Sequence, residues 1–363
     1  FDEPWSMALD HLNRPVLVGD TASTDFPTST GAFDRTLGGT YDAFVIRLTA
    51  LAIPNVAMVN STGNASDIAP GDGTCSTGVT IPGGAPECTL RAAIQEANAS
   101  AVVDTIHFDI PTTAAGYSAL RGVYTIAATA SLPVITAPVT IDGATQAINR
   151  GDTNPGTLGY SGPVGTGPDG VVGTGDEPAL HGVPRPEVEI VLGGHQGFVV
   201  NADSVSISGL AVHGGNRDMA IASGTGAVIE HMVIGTRADS FTDPGLGSRS
   251  TGSGGIAVLG GSGAVISGNL IGYQSLRGVE VSGTVSDLTI SGNEIRGTAQ
   301  ASIDEGGGIE LVNHWGAPGS SITGATISGN LIAGVVADFN IEVATAAGDS
   351  GIVIENNTIH GNQ

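Results

Sequence analysis

Apolar and polar residues alternate in four short segments of the C-terminal half of the chain. The segments are GIAVLG at 255–260, GVEVSG at 278–283, GIELVN at 308–313 and NIEVAT at 340–345. A period of two places every second side chain on the same face of a β-strand. The segments therefore predict strands whose Ile and Val side chains point into a core.

A second phrase recurs between those segments. It reads ISGNLIG at 266–272, ISGNEIRG at 290–297, ISGNLIAG at 327–334 and, more loosely, IENNTIHG at 354–361. Recurrence at a base period of about 22–25 residues, with two larger insertions, is the signature of a solenoid. Each coil would hold at least two strands, so the pattern predicts an all-β parallel β-helix. The chain is long enough for about ten coils, each rising about 4.8 Å along the axis.

Two other all-β folds fit the pattern less well. A β-sandwich would show hairpin turns rather than one repeated phrase. A calcium-binding β-roll would show Gly-Gly-x-Gly-x-Asp nonapeptides, and the sequence contains none.

One amphipathic helix is predicted within ECTLRAAIQEAN at 87–98, with Thr89 as its N-cap. A solenoid must cover its first coil, and the apolar stripe of this helix would do so. The stripe consists of Leu90, Ala93, Ile94 and Ala97.

The same residues carry a family resemblance. The segment ECTLRAAIQEAN resembles the CSLREA-type segment that precedes many bacterial β-helix domains, and LPVITAPVTIDGATQ at 132–146 resembles an early coil of such a domain. The resemblance implies a right-handed, pectin-lyase-like β-helix with this helix as its N-terminal cap.

The N-terminal segment resembles a different family. Thr24 to Thr28, Gly31 to Phe33 and Gly38 to Val45 match an SBBP-type β-propeller repeat, with strands expected in RPVLVGD and DAFVIRL. A propeller needs four or more blades, and the match covers one. Further blades are therefore expected upstream, or this blade docks on its neighbour. The predicted organisation is a blade at 1–50, a cap region at 51–100 and a β-helix at 101–363.

Composition supports the all-β prediction and narrows the classes of molecule that the protein could bind. Gly accounts for 57 of the 363 residues, more than twice the usual share of about 7%, which is typical of many tight turns. The net charge is −23, which argues against nucleic acid and against an anionic membrane surface. The sequence shows no apolar run long enough to span a bilayer and no signal peptide.

The two cysteines, Cys75 and Cys88, bracket a Gly- and Pro-rich loop without a His cluster. This pattern favours a disulfide over a zinc site. A disulfide indicates an oxidising compartment, so we expect a secreted or cell-surface protein.

An asparagine follows the glycine of each repeated ISGN phrase. Stacked coils would bring these amides together in a ladder that satisfies buried polar groups. The predicted structural ladder is Asn269, Asn293, Asn330 and Asn357.

Three glutamates occupy one strand position in successive coils: Glu280, Glu310 and Glu342. Neighbouring carboxylates about 5 Å apart repel unless a cation, an arginine or solvent offsets the repulsion. The row is therefore a solvated acidic ladder, a metal- or sugar-binding face, or a catalytic carboxylate pair of the kind that cleaves glycosidic bonds. Arg277 and Arg296 are the arginines expected near it.

Two insertions lengthen the coils at 235–255 and 311–321. Loops that leave a regular scaffold carry function more often than the scaffold does. Trp315 and His314 in the second insertion, together with Arg296, are candidate sugar contacts. The alternative is that Trp315 packs down on the coil surface.

The segment GTGPDGVVGTGDEPAL at 165–180 places Asp169, Asp176 and Glu177 among glycines. Hard oxygen ligands on a flexible backbone favour Ca²⁺. The spacing is not that of an EF-hand, so a plain acidic turn is the alternative reading.

Two functions remain open from the sequence. The first is a secreted or cell-surface structural or adhesive module, part of a larger protein or assembly. The last phrase ends within the solenoid, so self-association or further chain is expected at that coil. The second is a carbohydrate-binding or carbohydrate-cleaving protein, a glycoside hydrolase or polysaccharide lyase, that uses the glutamate row on a polysaccharide.

Overall fold

The structure is a computed structural model. It describes residues 2–9, 15–29, 31–47, 55–100, 102–252, 254–301, 306–312, 320–336, 339–344 and 346–361. The chain divides into two compact units, Phe1–Ile53 and Pro54–Gln363.

The N-terminal unit contains a three-stranded antiparallel sheet of Asp2–Leu9, Pro15–Thr21 and Asp42–Arg47, paired in that order. The rings of Phe26 and Phe44 stack with centroids 4.8 Å apart. Both strands expected from the sequence are present, and Asp2–Leu9 is a third. The propeller-repeat assignment stays a prediction.

The second unit is a parallel β-helix whose coils contribute to three sheets. Within the described residues, sheet 1 has nine strands, close to the predicted ten coils, and its pairings are all parallel. Its strands are Val56–Val59, Asp104–Phe108, Val139–Asp142, Ser206–Ser208, Val228–Glu230, Val265–Ser267, Thr289–Ser291, Thr326–Ser328 and Val353–Glu355.

Sheet 2 follows sheet 1 in each coil. Its first strand, Tyr117–Ser118, is antiparallel to the second, and the other pairings are parallel. The remaining strands are Val123–Ala127, Val188–Val191, Ala211–His213, Val233–Ile234, Leu270–Gly272, Glu294–Arg296, Leu331–Ala333 and Thr358–His360.

Sheet 3 closes the coil and contains the alternating segments from which the fold was predicted. Its strands are Gln196–Asn201, Arg217–Ser223, Gly254–Ser262, Val279–Ser286, Gly307–Val312 and Phe339–Ala344, with Ile322–Thr323 beside Val279–Ser286.

The core is a set of aligned aliphatic columns. In sheet 1 the isoleucine that opens each ISGN phrase lies in register with the isoleucine of the next phrase and has no exposed surface. Ile266, Ile290 and Ile327 show this. Each fully buried side chain of this size stabilises the fold by about 1.5–3 kcal/mol. The repeated phrase therefore encodes both the strand and its place in the stack.

The predicted helix packs against the first strands of sheet 1, and its assignment to a cap family stays a prediction. Helix α1, Leu90–Asn98, begins after Thr89, whose hydroxyl accepts a hydrogen bond from the N–H of Ala92 at 3.0 Å. The disulfide between Cys75 and Cys88 is present, which confirms that prediction. The segment before the helix already contributes the first strand of sheet 1, so position 100/101 is not a boundary between compact units.

A long segment at 151–187, which we call the arm, leaves the coil after a second helix, α2 (Thr145–Arg150), and returns as a hairpin. Two short antiparallel ladders hold its sides together. They pair Thr157–Leu158 with Val183–Pro184, and Gly162–Pro163 with Ala179–Leu180.

The arm lies along the outer face of sheet 2. Leu158 packs in a cluster with Ala211 and Leu270, while Leu180 packs with Leu331 several coils further on. The N–H of Gly165 in the arm donates to Thr358 Oγ1 at 2.8 Å, which ties it to the last strand of the sheet. The arm thus braces the β-helix lengthwise. Among the described residues, no helix is long and apolar enough to cross a membrane.

Candidate functional site: a groove along one corner of the β-helix

The asparagines form a continuous ladder inside the corner between sheets 1 and 2. Asn269 Nδ2 donates to Asn293 Oδ1 at 2.9 Å, Asn293 Nδ2 donates to Asn330 Oδ1 at 3.0 Å, and Asn330 Nδ2 donates to Asn357 Oδ1 at 2.9 Å. The amide oxygens of Asn293, Asn330 and Asn357 also accept the backbone N–H of the preceding asparagine. Their geometry is that of structural residues.

The glutamate row lies on sheet 3 in the register expected from the sequence, with Glu280 beside Glu310 and Glu310 beside Glu342. Glu310 is buried, and Arg277 Nε donates to its Oε2. Burial raises the pKa of Glu310, the contact with Arg277 opposes that rise, and Glu342 and Glu280 reinforce it. Arg277 therefore supplies one of the offsets that the row requires. The catalytic and metal-binding roles stay predictions.

Of the predicted sugar contacts, only Arg296 lies among the described residues, and it is not on the strands of that row. Arg296 lies on sheet 2, where its guanidinium pairs with Glu294, whereas the glutamate row lies on sheet 3. Trp315 and His314 fall outside the described residues.

The three acidic residues predicted to bind calcium lie in the hairpin end of the arm. Asp169 Oδ1 accepts the N–H of Val171 at 2.8 Å, and Glu177 accepts the N–H of Thr174 and of Gly175, each at 2.9 Å. Asp176 accepts the hydroxyl of Thr174 at 2.9 Å. Their carboxylates thus hold the turn together. Across the described ranges, no three or more His, Cys, Asp or Glu side chains form a group suited to a metal ion, and calcium stays a prediction.

The sequence does not reveal a charge network under the first insertion, in which Glu189 is the buried member. Arg121 Nη2 lies 2.6 Å from Glu189 Oε2 and 2.5 Å from Asp239 Oδ1. Burial acts to raise the pKa of Glu189, but His213, Arg121 and the N–H of Ala238 together lower it to about 2. The network fixes the insertion to sheet 2. Asp239, the acidic residue of that loop in the network, therefore has a structural role.

A groove of about 700 Å³ runs between the arm, helix α2 and the corner that joins sheets 1 and 2. Its floor repeats from coil to coil, as Ser208–Gly209, Ser267–Gly268 and Ser291–Gly292, and the last two pairs belong to ISGN phrases. We call it the corner groove. Its walls include Ala144, Ala147, Asp152, Asn154, Leu180, His181, Pro184, Arg185, Pro186 and Glu187.

The floor has its shape because one residue of each coil turns the corner in the left-handed backbone region, where glycine is favoured. His231 is the non-glycine residue at this position within the groove, with φ 51°. A Cβ atom added to Gly268 would lie 3.4 Å from the His231 ring, so the imidazole lies over the neighbouring step. The row is Gly209, His231, Gly268, Gly292, Gly329 and Asn356.

The polar groups of the corner groove are unevenly satisfied. The Glu187 carboxylate is buried and accepts from the N–H groups of Thr153 and Asn154 at 2.7 and 3.0 Å. Burial raises the pKa of Glu187, against those contacts. By contrast, Arg185 Nε is buried and has no hydrogen-bond partner among the described residues.

Comparison with known proteins agrees with the three parallel sheets. Residues 247–363 match the family described as right handed beta helix region. The fold is a right-handed parallel β-helix. Among solved structures, the chain is similar to the surface protein and adhesin PfbA of Streptococcus pneumoniae, at 11% identity over 73% of this chain and 89% of that chain, with a TM-score of 0.21. No curated protein matches the chain.

Proposed function

We propose that this β-helix is a cell-surface adhesive module: a rigid rod, outside the cytoplasm, that holds an extended ligand. The corner groove carries the proposal. It is a concave surface built from several coils and the arm, lined mainly by apolar groups with a few polar side chains among them, which is the usual form of a binding site.

Two further features support this reading. The disulfide between Cys75 and Cys88 fits an oxidising, extracytoplasmic location. The arm and the asparagine ladder join successive coils on the outside and at one inner corner. A rod reinforced in this way would resist deformation when a bound surface pulls on it.

Adhesion can be tested with the purified chain on beads, measured against cells and against surfaces coated with cell-wall polymers. A tryptophan introduced at Ser291 would fill the corner groove. Thr289→Trp is the matched control, because Thr289 lies on the same strand but outside the groove. We expect adhesion by the wild type and by T289W but not by S291W. Absence of wild-type adhesion to every surface would overturn the proposal.

A second function rests on the glutamate row. A buried carboxyl group with a raised pKa is what a general acid in glycoside cleavage needs, and Glu310 between Glu280 and Glu342 has this property. Glu310→Gln would abolish cleavage of a glycan panel if the row is catalytic. Wild-type protein without cleavage of any glycan in the panel would remove this candidate and leave adhesion untouched.

The partner at the last coil also remains a proposal. Ile354 and Ile359 continue the core columns of Ile327 and Ile332, which are fully buried. They are themselves 46% and 47% exposed. Self-association through this surface would cover them. Light scattering over a concentration series tests self-association, and a strictly monomeric protein would contradict it.

A further inference from the structure

The walls of the corner groove present apolar surface to an occupant. Ala144, Ala179 and Pro184 are exposed among its lining residues, and Leu180 is buried. Removing apolar surface from water is the main favourable contribution to most protein associations, so the occupant is expected to carry aliphatic groups. No Phe, Tyr or Trp among the described residues lines the groove. A sugar ring would therefore find no aromatic face to stack on.

The length of the floor suits a short stretch of an extended polymer. Its four steps, on successive coils, are Gly209, His231, Gly268 and Gly292, which span about 14 Å at the spacing between strands. An extended polypeptide rises about 3.3 Å per residue. Four or five residues would therefore cover the floor from end to end.

The floor also carries hydroxyl groups that could bond to a main chain. Ser208, Ser267 and Ser291 line the groove, and their side chains make no hydrogen bond to any residue that the structure describes. A hydroxyl group both donates and accepts, and an extended segment presents an N–H and a carbonyl at each residue other than proline. The floor can thus satisfy a polar main chain while the walls cover aliphatic side chains.

Acidic side chains outnumber basic ones in the groove. Asp152 and Glu187 line it against Arg185. Burial raises the pKa of Glu187, and the neighbouring Asp152 acts in the same direction, because nearby carboxylates disfavour each other's charged form. Asp152 is exposed, and its Oδ1 accepts the N–H of Asn154 at 3.1 Å. A cation beside Asp152 would be within reach of solvent and would offset the repulsion between the two carboxyl groups.

The charge of the whole chain favours the same kind of occupant. The chain has 35 acidic residues against 12 basic ones, and its net charge is −23. A field of this sign attracts positively charged molecules and repels anionic polymers. Nucleic acids and acidic polysaccharides are therefore disfavoured in the groove.

We infer that the corner groove binds an extended segment of a partner protein, four or five residues long, with aliphatic side chains against the walls and an arginine or lysine beside Asp152. The inference rests on the proposed adhesive function and names the chemistry of its ligand. A linear polyamine supplies the charge but no peptide groups for the floor. A neutral glucan supplies hydroxyl groups but neither aliphatic side chains nor a charge.

Calorimetry with capped pentapeptides of one design tests the inference. The reference probe alternates leucine and alanine and carries one arginine, placed at either end in two versions. Glutamine or glutamate replaces the arginine in two control probes, and serine replaces leucine in a third. We expect the arginine probe to bind about three- to fivefold more tightly than the glutamine probe, as for an exposed ion pair. The glutamate probe, the serine probe, spermidine and a neutral glucan tetrasaccharide should all bind more weakly than the arginine probe.

Asp152→Asn should remove the preference for arginine and leave the affinity for the glutamine probe unchanged, which also shows that the variant is folded. Asp72→Asn is the matched control. Asp72 is exposed outside the groove, and its Oδ1 accepts the N–H of Thr74, two residues on, as Asp152 does with Asn154. Asp72→Asn changes the net charge equally and should keep the preference. S291W should abolish binding of every peptide, and T289W should bind as the wild type does.

Two results would overturn the basic segment as the ligand. One is equal affinity of the wild type for the arginine and glutamine probes. The other is an equal effect of Asp152→Asn and Asp72→Asn. Tighter binding of the glucan than of any peptide would also overturn it and would indicate a polysaccharide instead.

Protease treatment of the cells used in the adhesion assay separates the inference from the function on which it rests. We expect the adhesion that S291W removes to be lost from protease-treated cells. Adhesion that persists on treated cells would overturn the protein ligand and leave the adhesive function standing. Binding of the arginine probe without adhesion to any surface would overturn the adhesive function and leave the chemistry of the groove intact.

Discussion

Ser250 Oγ donates a hydrogen bond to Asp218 Oδ2 at 2.5 Å, and both side chains are buried. Ser250 comes from the first insertion, whereas Asp218 belongs to the sheet 3 strand Arg217–Ser223. The second Asp218 oxygen accepts the N–H of Gly215 at 3.1 Å. This contact closes the insertion over the coil with a carboxyl group that solvent does not reach.

The stability of the protein should therefore depend on pH through Asp218. Burial raises its pKa to about 7, although Ser250, Gly215 and nearby His213 act to lower it. The folded state then keeps a proton that the unfolded chain, with an ordinary value of 3.8, has released. The resulting stabilisation is fully present below pH 3.8 and is lost as the pH rises to about 7. At roughly 1.4 kcal/mol per pH unit, its total is on the order of 4 kcal/mol.

Urea unfolding of wild type and Asp218→Asn from pH 4 to 8 measures this dependence. The asparagine has no proton to lose, so its free energy of unfolding should fall less steeply, and at pH 8 the variant should be the more stable protein. Other acidic groups contribute equally to both curves. The difference between the two curves therefore reports Asp218 alone. Parallel curves would show that Asp218 does not titrate in this range.

Arg121 should stabilise the fold far more than an exposed arginine does. Its removal in Arg121→Met leaves Glu189, which is 2% exposed, without its guanidinium partner. Breaking a buried pair in this way costs about 3 kcal/mol or more. The measurement is the urea midpoint of the variant, and the double variant Arg121→Met/Glu189→Gln should recover part of the loss.

Arg249 provides the control for Arg121. It pairs with Asp243, which is 40% exposed, at 2.5 Å, and such pairs contribute about 1 kcal/mol or less. Equal losses for Arg249→Gln and Arg121→Met would contradict the role assigned to the buried network.

The disulfide should stabilise the cap rather than the rod as a whole. Cys75→Ser/Cys88→Ser opens a loop of 13 residues, and a loop of about 15 residues corresponds to about 3 kcal/mol. Hydrogen exchange should increase in helix α1 and in Val56–Val59, and remain slow in the ISGN coils. Uniformly faster exchange along the β-helix would show instead that the cap and the rod unfold together.

The sequence predicts the coil well because each of its positions repeats one physical role. In ISGN the isoleucine is buried, the glycine turns left-handed and the asparagine joins the ladder, as Ile290, Gly292 and Asn293 show. The aligned glutamates follow from the same register, and the pairing of Glu310 with Glu342 agrees with it.

The corner groove could not be predicted in this way. Its wall is the arm, a single non-repeating segment whose path over sheet 2 depends on contacts such as that of Leu158 with Leu270. These residues are far apart in sequence and carry no motif. The signal available beforehand was His231, which replaces the glycine of its phrase at a position where glycine is favoured.

The asparagine ladder should be most sensitive in its interior. Asn293 bonds to the amides of Asn269 and Asn330, so Asn293→Ala leaves buried groups unsatisfied on both sides, at about 1–3 kcal/mol for each. Asn357, the last amide, has an asparagine neighbour on one side only among the described residues. Asn357→Ala should therefore lower the free energy of unfolding by about half as much. Urea unfolding of both variants provides the comparison, and equal losses would show that the amides act singly rather than as a ladder.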